Sequence, residues 1–221
     1  MFQSWRDLLF AHWPVPASEL RLLVPGALEL DLFRGSGWVG VVPFRMTNVA
    51  PRGMPAIPGV SAFPELNVRT YVRRGGQAGV YFFSLDAGSA IAVAAARALF
   101  NLPYFKASMR VIDDAGTVRY ASERGSAVFE ARYRPSGPPF RPSAGTLEHF
   151  LTERYCLYNL DRGRRPRRVD IHHPPWELQS AEAEIARNTM AKAAGVGLPE
   201  VRPLLHFSKR QDVVAWAPAA A

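Results

Sequence analysis

Cysteine is nearly absent from this chain of 221 residues, which has a single one, Cys156. One cysteine excludes an internal disulfide bond, and such rarity is typical of proteins that fold in a reducing cytoplasm. Cys156 is flanked by Tyr155 and Leu157, a setting that favours a small buried filler over a reactive thiolate. We therefore expect it to serve packing.

Long apolar runs are absent as well. No stretch approaches the ~20 apolar residues that a membrane-spanning helix requires. The first ten residues lack the basic region and apolar core of a signal peptide. With 48% hydrophobic and 21% charged residues, the composition is that of a globular protein. We expect a soluble, cytoplasmic protein with no membrane partner and one domain over residues 1–221.

Lysine is scarce: only Lys106, Lys192 and Lys209 are among the 27 basic residues. The net charge of +8 and the pI of about 10.1 therefore come from arginine. The chain is also rich in alanine, proline and glycine, a compositional bias that raises the charge without any anionic partner. The one dense basic run, Arg162–Arg168, is interrupted by a glycine and a proline, which predicts a solvated loop. Contact with nucleic-acid phosphates through this run is the weaker alternative.

Sequence patterns and turn residues predict more strands than helices. The predicted strands are Leu28–Arg34, Trp38–Thr47, Leu66–Arg73, Gly79–Leu85, Tyr104–Ile112, Val118–Glu123, Ala127–Tyr133, Arg168–His173 and Leu204–Trp216. The predicted helices are Ser4–Ala11, one that follows Ser18 and stops before Pro25, Ser89–Phe100, Thr146–Tyr158 and Ala181–Ala194. This order predicts an α+β fold, a strongly curved, bowl-like or barrel-like antiparallel β-sheet with a few peripheral helices. The Pro/Gly-rich loop Val49–Phe63 is predicted to form a lid or a pocket rim.

The segment Phe63–Val72 alternates in an unusual way. One face of the predicted strand carries an acid, an amide, a guanidinium and a phenol: Glu65, Asn67, Arg69 and Tyr71. The other face is mostly apolar. An unpaired charge in a dry core would cost several kcal/mol, so the polar row must face water or a polar cavity. The sequence therefore predicts a pocket beside this strand.

Motifs along nearly the whole chain resemble the YqjF-like family, a bacterial family of unknown function. The matching segments are Phe10–Trp13, Val24–Leu28, Phe63, Glu65–Val72, Gly79–Asp86, Ala96-Arg97, Leu102–Phe105, Leu151–Tyr155, His173, Pro175-Trp176 and Leu205–Ser208. That family in turn is distantly similar to acetoacetate decarboxylase. The resemblance implies a curved, acetoacetate-decarboxylase-like sheet around a central cavity, with helices outside.

The decarboxylases form a Schiff base with a lysine, in a motif that has an arginine six residues before a proline and two lysines directly after it. Arg97 stands six residues before Pro103, but Tyr104 and Phe105 occupy the positions of the lysine pair. The decarboxylases also place a glutamate on a strand of the Glu-Leu/Val type, which Glu65 resembles.

Lys106 is the candidate nucleophile of this chain. On a regular strand it shares a face with Tyr104, so its ammonium would point into the implied cavity. A desolvated lysine beside another cation would have a lowered pKa and would attack a carbonyl carbon. The alternative, which we favour, is that Lys106 covers apolar surface with its stem and reaches solvent.

Two arginines, Arg69 and Arg97, are candidates to hold a substrate carboxylate through forked hydrogen bonds. Glu65 would then act as a proton donor or acceptor, while Asn67 and Tyr71 orient the bound group. Tyr104 is a further candidate ligand contact. The alternative is a self-satisfied polar network that fixes the register of the strand.

The five histidines show no metal-ligand spacing, and structural roles are the main expectation. His12, His173 and His206 lie in segments that resemble the family, which makes them second-tier site candidates. We predict no metal and no cofactor.

The leading hypothesis is a protein that binds a small carboxylated or carbonyl-containing molecule in a mixed polar and apolar cavity, without catalysis. The alternative is an enzyme of decarboxylase-like or related carbonyl chemistry that uses Lys106 to form an imine. Nucleic-acid binding through Arg162–Arg168 is the weakest hypothesis. Exposed sheet edges are compatible with a homodimer.

Overall fold

The structure is a computed structural model that describes residues 1–50 and 61–221. Strands dominate the described chain, and the helices are short. In chain order the elements are β1 (Phe2–Val15), α1 (Ala17–Leu23), β2 (Glu29–Leu30), β3 (Gly37–Ala50), β4 (Phe63–Arg74), β5 (Gln77–Ala87), α2 (Ala90–Phe100), β6 (Tyr104–Lys106), β7 (Ser108–Asp114), β8 (Thr117–Arg124), β9 (Ala127–Pro135), α3 (Leu147–Thr152), β10 (Cys156–Leu160), β11 (Pro166–His172), β12 (Gln179–Asn188), α4 (Met190–Ala193), β13 (Leu204–Ala215) and β14 (Ala219–Ala220).

Seven of these strands close into a barrel. The order around the wall is β11, β10, β5, β4, β3, β1 and β13. The ring closes because β11 also pairs with β13, through Ile171 with Ala215 and His172 with Val214. Most neighbours run antiparallel, whereas β5 pairs in parallel with β10 and with β6. A closed wall leaves an interior toward which every second side chain points.

A second sheet packs against the outside of this barrel. It continues from β13 through β12, β9, β8 and β7. Leu66 and Val68 of β4 pack there in one apolar core with Tyr120 and Phe129 of the second sheet. Because the mostly apolar face of β4 is buried in this outer core, the alternate residues of β4 face the barrel interior.

The predicted fold class is confirmed: the protein is a strongly curved β structure with few helices. The helix after Ser18 is present as α1. The helix from Ser89 is present as α2, and the Ser89 side chain accepts a hydrogen bond from the backbone N–H of Ala92, as a cap should. No helix in the described part of the chain is long and apolar enough to cross a membrane.

Three helix predictions need correction. Ser4–Ala11 lies within β1, because pairing with β3 and β13 on both edges outweighs the helical pattern. Most of Ala181–Ala194 is β12, where alanine and glutamate alternate between half-buried and exposed positions against β9; only α4 is helical. The predicted helix Thr146–Tyr158 ends at Thr152, and its last residues begin β10.

The predicted strand Leu28–Arg34 is reduced to β2, and Tyr104–Ile112 is divided between β6 and β7. The predicted loop Val49–Phe63 falls mainly on residues 51–60, which lie outside the described residues. Its proposed role as a lid stays a prediction.

Candidate functional site

A cavity occupies the barrel interior. Its volume is about 110 Å³, which is room for roughly four water molecules at about 30 Å³ each. The wall is formed by residues of β1, β3, β4, β5, α2, β6, α3, β10, β11 and β13, together with the segment that holds His173 and Trp176. Most of the lining side chains are aliphatic or aromatic, and a few are polar.

The predicted polar row of β4 faces this cavity. Glu65, Asn67 and Arg69 line it, and all three are buried. A β-bulge in β5 shifts the register of the neighbouring strand between Val68 and Arg69, so that Arg69 pairs with Phe82. Because of this shift, Phe82 shares the inward face of β5 with Leu85, and both line the cavity.

Glu65 is held at the wall by Tyr104. The Tyr104 hydroxyl donates a hydrogen bond of 3.0 Å to Glu65 Oε2. Burial raises the pKa of the Glu65 carboxyl to about 8, although the hydrogen bond from Tyr104 opposes that shift. A carboxyl with this pKa is mostly protonated at neutral pH and serves as a hydrogen-bond donor.

Arg69 is a buried cation that forms no ion pair with a carboxylate of the described residues. Its Nη2 donates to the backbone oxygen of Leu151 at 3.2 Å, and its guanidinium carbon lies 5.3 Å from the ring centre of Phe10 and 5.8 Å from that of Tyr71. Its Nε is buried without a hydrogen-bond partner, and none of the ion pairs of the described residues includes Arg69. These contacts leave the charge of Arg69 without an anion.

Arg154 also lines the cavity, but its charge is matched. Its Nη1 donates to Asp31 Oδ2 at 2.5 Å, and its Nε donates to the backbone oxygen of Phe150 at 2.6 Å. Both Arg154 and Asp31 are buried. The two cavity arginines therefore differ: Arg154 is an internal ion pair, while Arg69 is available to an anion.

Beyond Arg69, one end of the barrel is filled by His12 and Tyr71. His12 Nε2 lies 2.6 Å from the Tyr71 hydroxyl, which in turn donates to the backbone oxygen of Leu151 at 2.8 Å. Burial, with the nearby charge of Arg69, holds the pKa of His12 well below its usual range. The imidazole is therefore neutral, so it adds no second cation beside Arg69. His12 and Tyr71 support the site without lining the cavity.

Two indole groups lie in the wall. Trp5 and Trp176 stack with ring centres 6.1 Å apart and planes at 28°. The Nε1 atoms of both are buried and have no hydrogen-bond partner in the structure, as is also true of Asn67 Oδ1. Buried polar atoms are nearly always partnered, so these three mark positions that a ligand or water would satisfy.

Of the two remaining second-tier histidines, one lines the cavity and the other does not. His173 lines the cavity; its Nε2 lies 3.2 Å from the backbone oxygen of Arg154 and its Nδ1 lies 2.8 Å from that of Pro174. His206 does not line the cavity and packs edge-on against Phe140. Burial lowers its pKa.

Lys106 and Arg97 are not among the lining residues of the cavity. Lys106, the last residue of β6, is exposed, and its Nζ donates to the backbone oxygen of Ala107 at 2.7 Å. This position agrees with the favoured alternative, in which Lys106 reaches solvent, and not with the role of a nucleophile in the cavity. Arg97 is exposed on α2, where its Nε donates to the backbone oxygen of Tyr104 at 2.6 Å. Arg97 therefore holds the strand that carries Tyr104 from outside the cavity.

The basic run Arg162–Arg168 spans the turn between β10 and β11 and part of β11. Arg165 pairs with Asp161 and Arg168 pairs with Asp170, so part of its charge is matched within the hairpin. No group of three or more His, Cys, Asp or Glu side chains in the described residues is arranged to hold a metal ion.

Sequence reasoning missed Arg154, Asp31 and the tryptophan pair as parts of the site. Arg154 and Trp176 stand in segments that resemble the family, which was the available signal. Nothing in the pattern around Trp5 distinguishes it from an ordinary core residue, because its inward position depends on β1 being a strand.

The architecture is shared with several solved proteins. Acetoacetate decarboxylase from Legionella pneumophila superposes with a TM-score of 0.67 at 14% identity, over 100% of this chain and 87% of that chain. The enduracididine biosynthesis enzyme MppR, solved with pyruvate, gives 0.69 at 13% identity, over 99% and 89%. An acetoacetate decarboxylase-like enzyme from Sphingomonas wittichii gives 0.68 at 11% identity, over 100% and 92%. At these identities the likeness establishes the fold alone: the chain has an acetoacetate-decarboxylase-like fold.

The family can be stated more narrowly. The model of the DUF2071 family, described as an uncharacterized conserved protein, matches residues 2–212. The uncharacterized protein YqjF of Bacillus subtilis is 51% identical over 219 residues, which cover 98% of this chain and 90% of that protein. The chain belongs to this YqjF-like family.

Proposed function

We propose that the protein binds a small organic monocarboxylate inside its barrel, with Arg69 as the group that holds the carboxylate. The observation that carries this proposal is that Arg69 is buried at the cavity wall and pairs with no carboxylate of the described residues. A buried cation without a partner costs several kcal/mol. A ligand carboxylate would remove that cost through hydrogen bonds to the fork of the guanidinium.

A single carboxylate fits better than two. The second cavity arginine, Arg154, is already paired with Asp31. Protonated Glu65 offers a neutral O–H donor, which suits a carbonyl or hydroxyl oxygen of the ligand. The similar protein MppR has been solved with pyruvate, which has a carboxylate next to a carbonyl. Glu65, Asn67 and Tyr104 would orient that second oxygen.

Substitution of Arg69 tests this function. Isothermal titration of the purified chain with pyruvate, acetate and hexanoate should detect binding to the native protein. Arg69→Gln should weaken it by about tenfold or more, because a charge-assisted hydrogen bond of roughly 1.5–3 kcal/mol is lost. Arg202→Gln makes the same chemical change at an exposed position outside the cavity lining and is the matched control. Equal affinities of all three proteins would overturn the proposal.

A second candidate function is proton transfer at the carbon next to a ligand carbonyl. The pKa of about 8 of Glu65 favours it, because a general acid or base works best with a pKa near the operating pH. Exchange of the methyl protons of pyruvate with D₂O, followed by NMR, measures this activity. Glu65→Gln should abolish the enzyme-dependent exchange, and exchange no faster than in buffer would exclude the activity. An imine with Lys106 is not part of this proposal, since that ammonium lies at the surface.

A further inference from the structure

The side chains around the polar row are apolar. The register of β4 with its neighbours places Phe44 and Ala87 beside Glu65, Val42 and Leu85 beside Asn67, and Phe82 beside Arg69. Of these, Phe44, Val42, Leu85 and Phe82 line the cavity. The polar row of Glu65, Asn67 and Arg69 is therefore flanked by hydrocarbon on both neighbouring strands.

The wall contributed by α2 continues this apolar surface. Ala96 and Phe100 of the helix, with Leu102 just after it, line the cavity. Leu102 belongs to the same buried cluster as Phe44, Leu85 and Trp176, and the partly buried Ala96 and Phe100 pack against that cluster. Water that fills this part of the cavity finds few hydrogen-bond partners, so its replacement by an apolar group is favourable.

The size of the cavity leaves room for an apolar body. Acetate and pyruvate each carry a single methyl group. With its carboxylate at Arg69, either acid would leave much of the apolar wall uncovered. A cavity of roughly 150 Å³ binds benzene, and the cavity of about 110 Å³ comes close to that size, so a short alkyl chain or an aryl group would cover more of the wall.

We infer that the natural ligand is a monocarboxylic acid with an apolar body, either an aryl group or an alkyl chain of similar length, that packs against Phe44, Phe82, Phe100 and the Trp5–Trp176 pair. This inference rests on the proposed function, because it assumes that Arg69 holds the carboxylate. All monocarboxylates would make the same contact with Arg69. Differences in affinity among them would therefore come from the apolar body, called the tail below.

A series with a constant carboxylate tests the tail in the native protein. We expect hexanoate and phenylacetate to bind at least about tenfold more tightly than acetate, because each buried methylene adds to the affinity. Equal affinity along the series, with Arg69→Gln still weakening every member, would overturn the tail inference and leave the proposed function standing. Phenylacetamide, which has the same body without the charge, tests the carboxylate contact separately. If it binds as tightly as phenylacetate, and Arg69→Gln does not change the affinity for phenylacetate, the proposed function fails.

A variant that fills the apolar region gives an independent test. Ala96→Phe places a ring in the cavity and should weaken phenylacetate by about tenfold while acetate is little changed. Ala95→Phe makes the same change at the next residue of α2, which is exposed and outside the lining, and should leave both affinities unchanged. If Ala96→Phe weakened phenylacetate and acetate to the same degree, while Ala95→Phe changed neither, the inference that the tail and the carboxylate occupy separate parts of the cavity would be contradicted. The length series with the native protein requires no variant to fold.

Discussion

The phenol of Tyr104 donates a hydrogen bond of 3.0 Å to the carboxyl of Glu65, and both groups are buried in the cavity wall. Burial favours the protonated carboxyl, while the phenol favours the carboxylate. The pKa of Glu65, about 8, is the balance of these two effects. The presence of a titrating group near neutral pH thus depends on a pair of residues that lie 39 positions apart in the chain.

Removal of the phenol should raise the pKa of Glu65 further. Tyr104→Phe deletes a hydrogen bond to the charged form, so we expect an increase of roughly one pKa unit. Infrared difference spectra of the protonated carboxyl across a pH series measure it. Tyr120→Phe is the matched control, because the Tyr120 hydroxyl donates to the backbone oxygen of Glu65 at 2.7 Å and not to its carboxyl. A lower pKa in Tyr104→Phe would contradict the assignment.

Glu65 should also make stability depend on pH. Its pKa is about 8 in the folded protein and near the ordinary value of 4.5 in the unfolded chain. Between these values the folded state holds a proton that the unfolded state has released. The stabilising contribution is therefore complete below about pH 4.5 and lost as the pH rises to about 8.

The measurement is the free energy of unfolding in urea, from about pH 5 to about pH 9, for the native protein and Glu65→Gln. The native value minus the variant value should fall by a few kcal/mol over this range, at about 1.4 kcal/mol per pH unit, and then level off above the pKa of Glu65. The subtraction removes the opposite effect of His12, whose lowered pKa costs stability as the pH falls. A difference that does not change with pH would show that Glu65 titrates normally.

Gly40 provides the space for the end of the barrel behind Arg69. A Cβ atom at this position would lie 2.9 Å from Cδ2 and Nε2 of His12 and 3.4 Å from Cγ of Arg69. Gly40→Ala should destabilise the fold by about 1–3 kcal/mol, since a packed interior must shift, and should weaken carboxylate binding by displacing Arg69. At Gly26 a Cβ would meet nothing within 4 Å, so Gly26→Ala should change neither property by much. Similar effects of the two substitutions would refute the steric explanation.

The Arg154–Asp31 pair should behave as a buried ion pair. Asp31→Asn leaves the guanidinium of Arg154 without its carboxylate, and we expect a loss of about 3–5 kcal/mol in the free energy of unfolding. Asp114 pairs with Arg119 at the surface, where the two side chains are 53% and 50% exposed, so Asp114→Asn should cost at most about 1 kcal/mol. Chemical denaturation of both variants decides between these values. Equal decreases in the free energy of unfolding for the two variants would indicate that burial does not determine how much an ion pair contributes to stability.

Much of the strand content could be read from the sequence, because alternation and turn residues are local signals. Phe63–Val72 is the best example. Its polar face lines the barrel cavity, and its apolar face packs in the core between the barrel and the second sheet. The two main errors, Ser4–Ala11 and Ala181–Ala194, share one cause. Both segments have acceptable helix propensity and become strands only through partners that are distant in sequence.

The candidate site was predictable to the extent that it lies on β4. Glu65, Asn67 and Arg69 share one strand face and line one cavity, while their functional roles stay predictions. Lys106 shares a strand with Tyr104, as the sequence predicts, but it is the last residue of that strand and its side chain is exposed. The pairing of Arg154 with Asp31 joins residues 123 positions apart, and no periodicity along the chain reports such a contact.

The place of β1 between β3 and β13 has a consequence for biosynthesis. During translation β1 emerges before β3 and long before β13, the strand that covers its second edge. Until β13 has been synthesised, the nascent chain therefore exposes an unpaired edge rich in aromatic and aliphatic side chains, a kind of surface that favours aggregation. Because the barrel wall closes only through β13, no ligand can stabilise the closed barrel before that strand has been made.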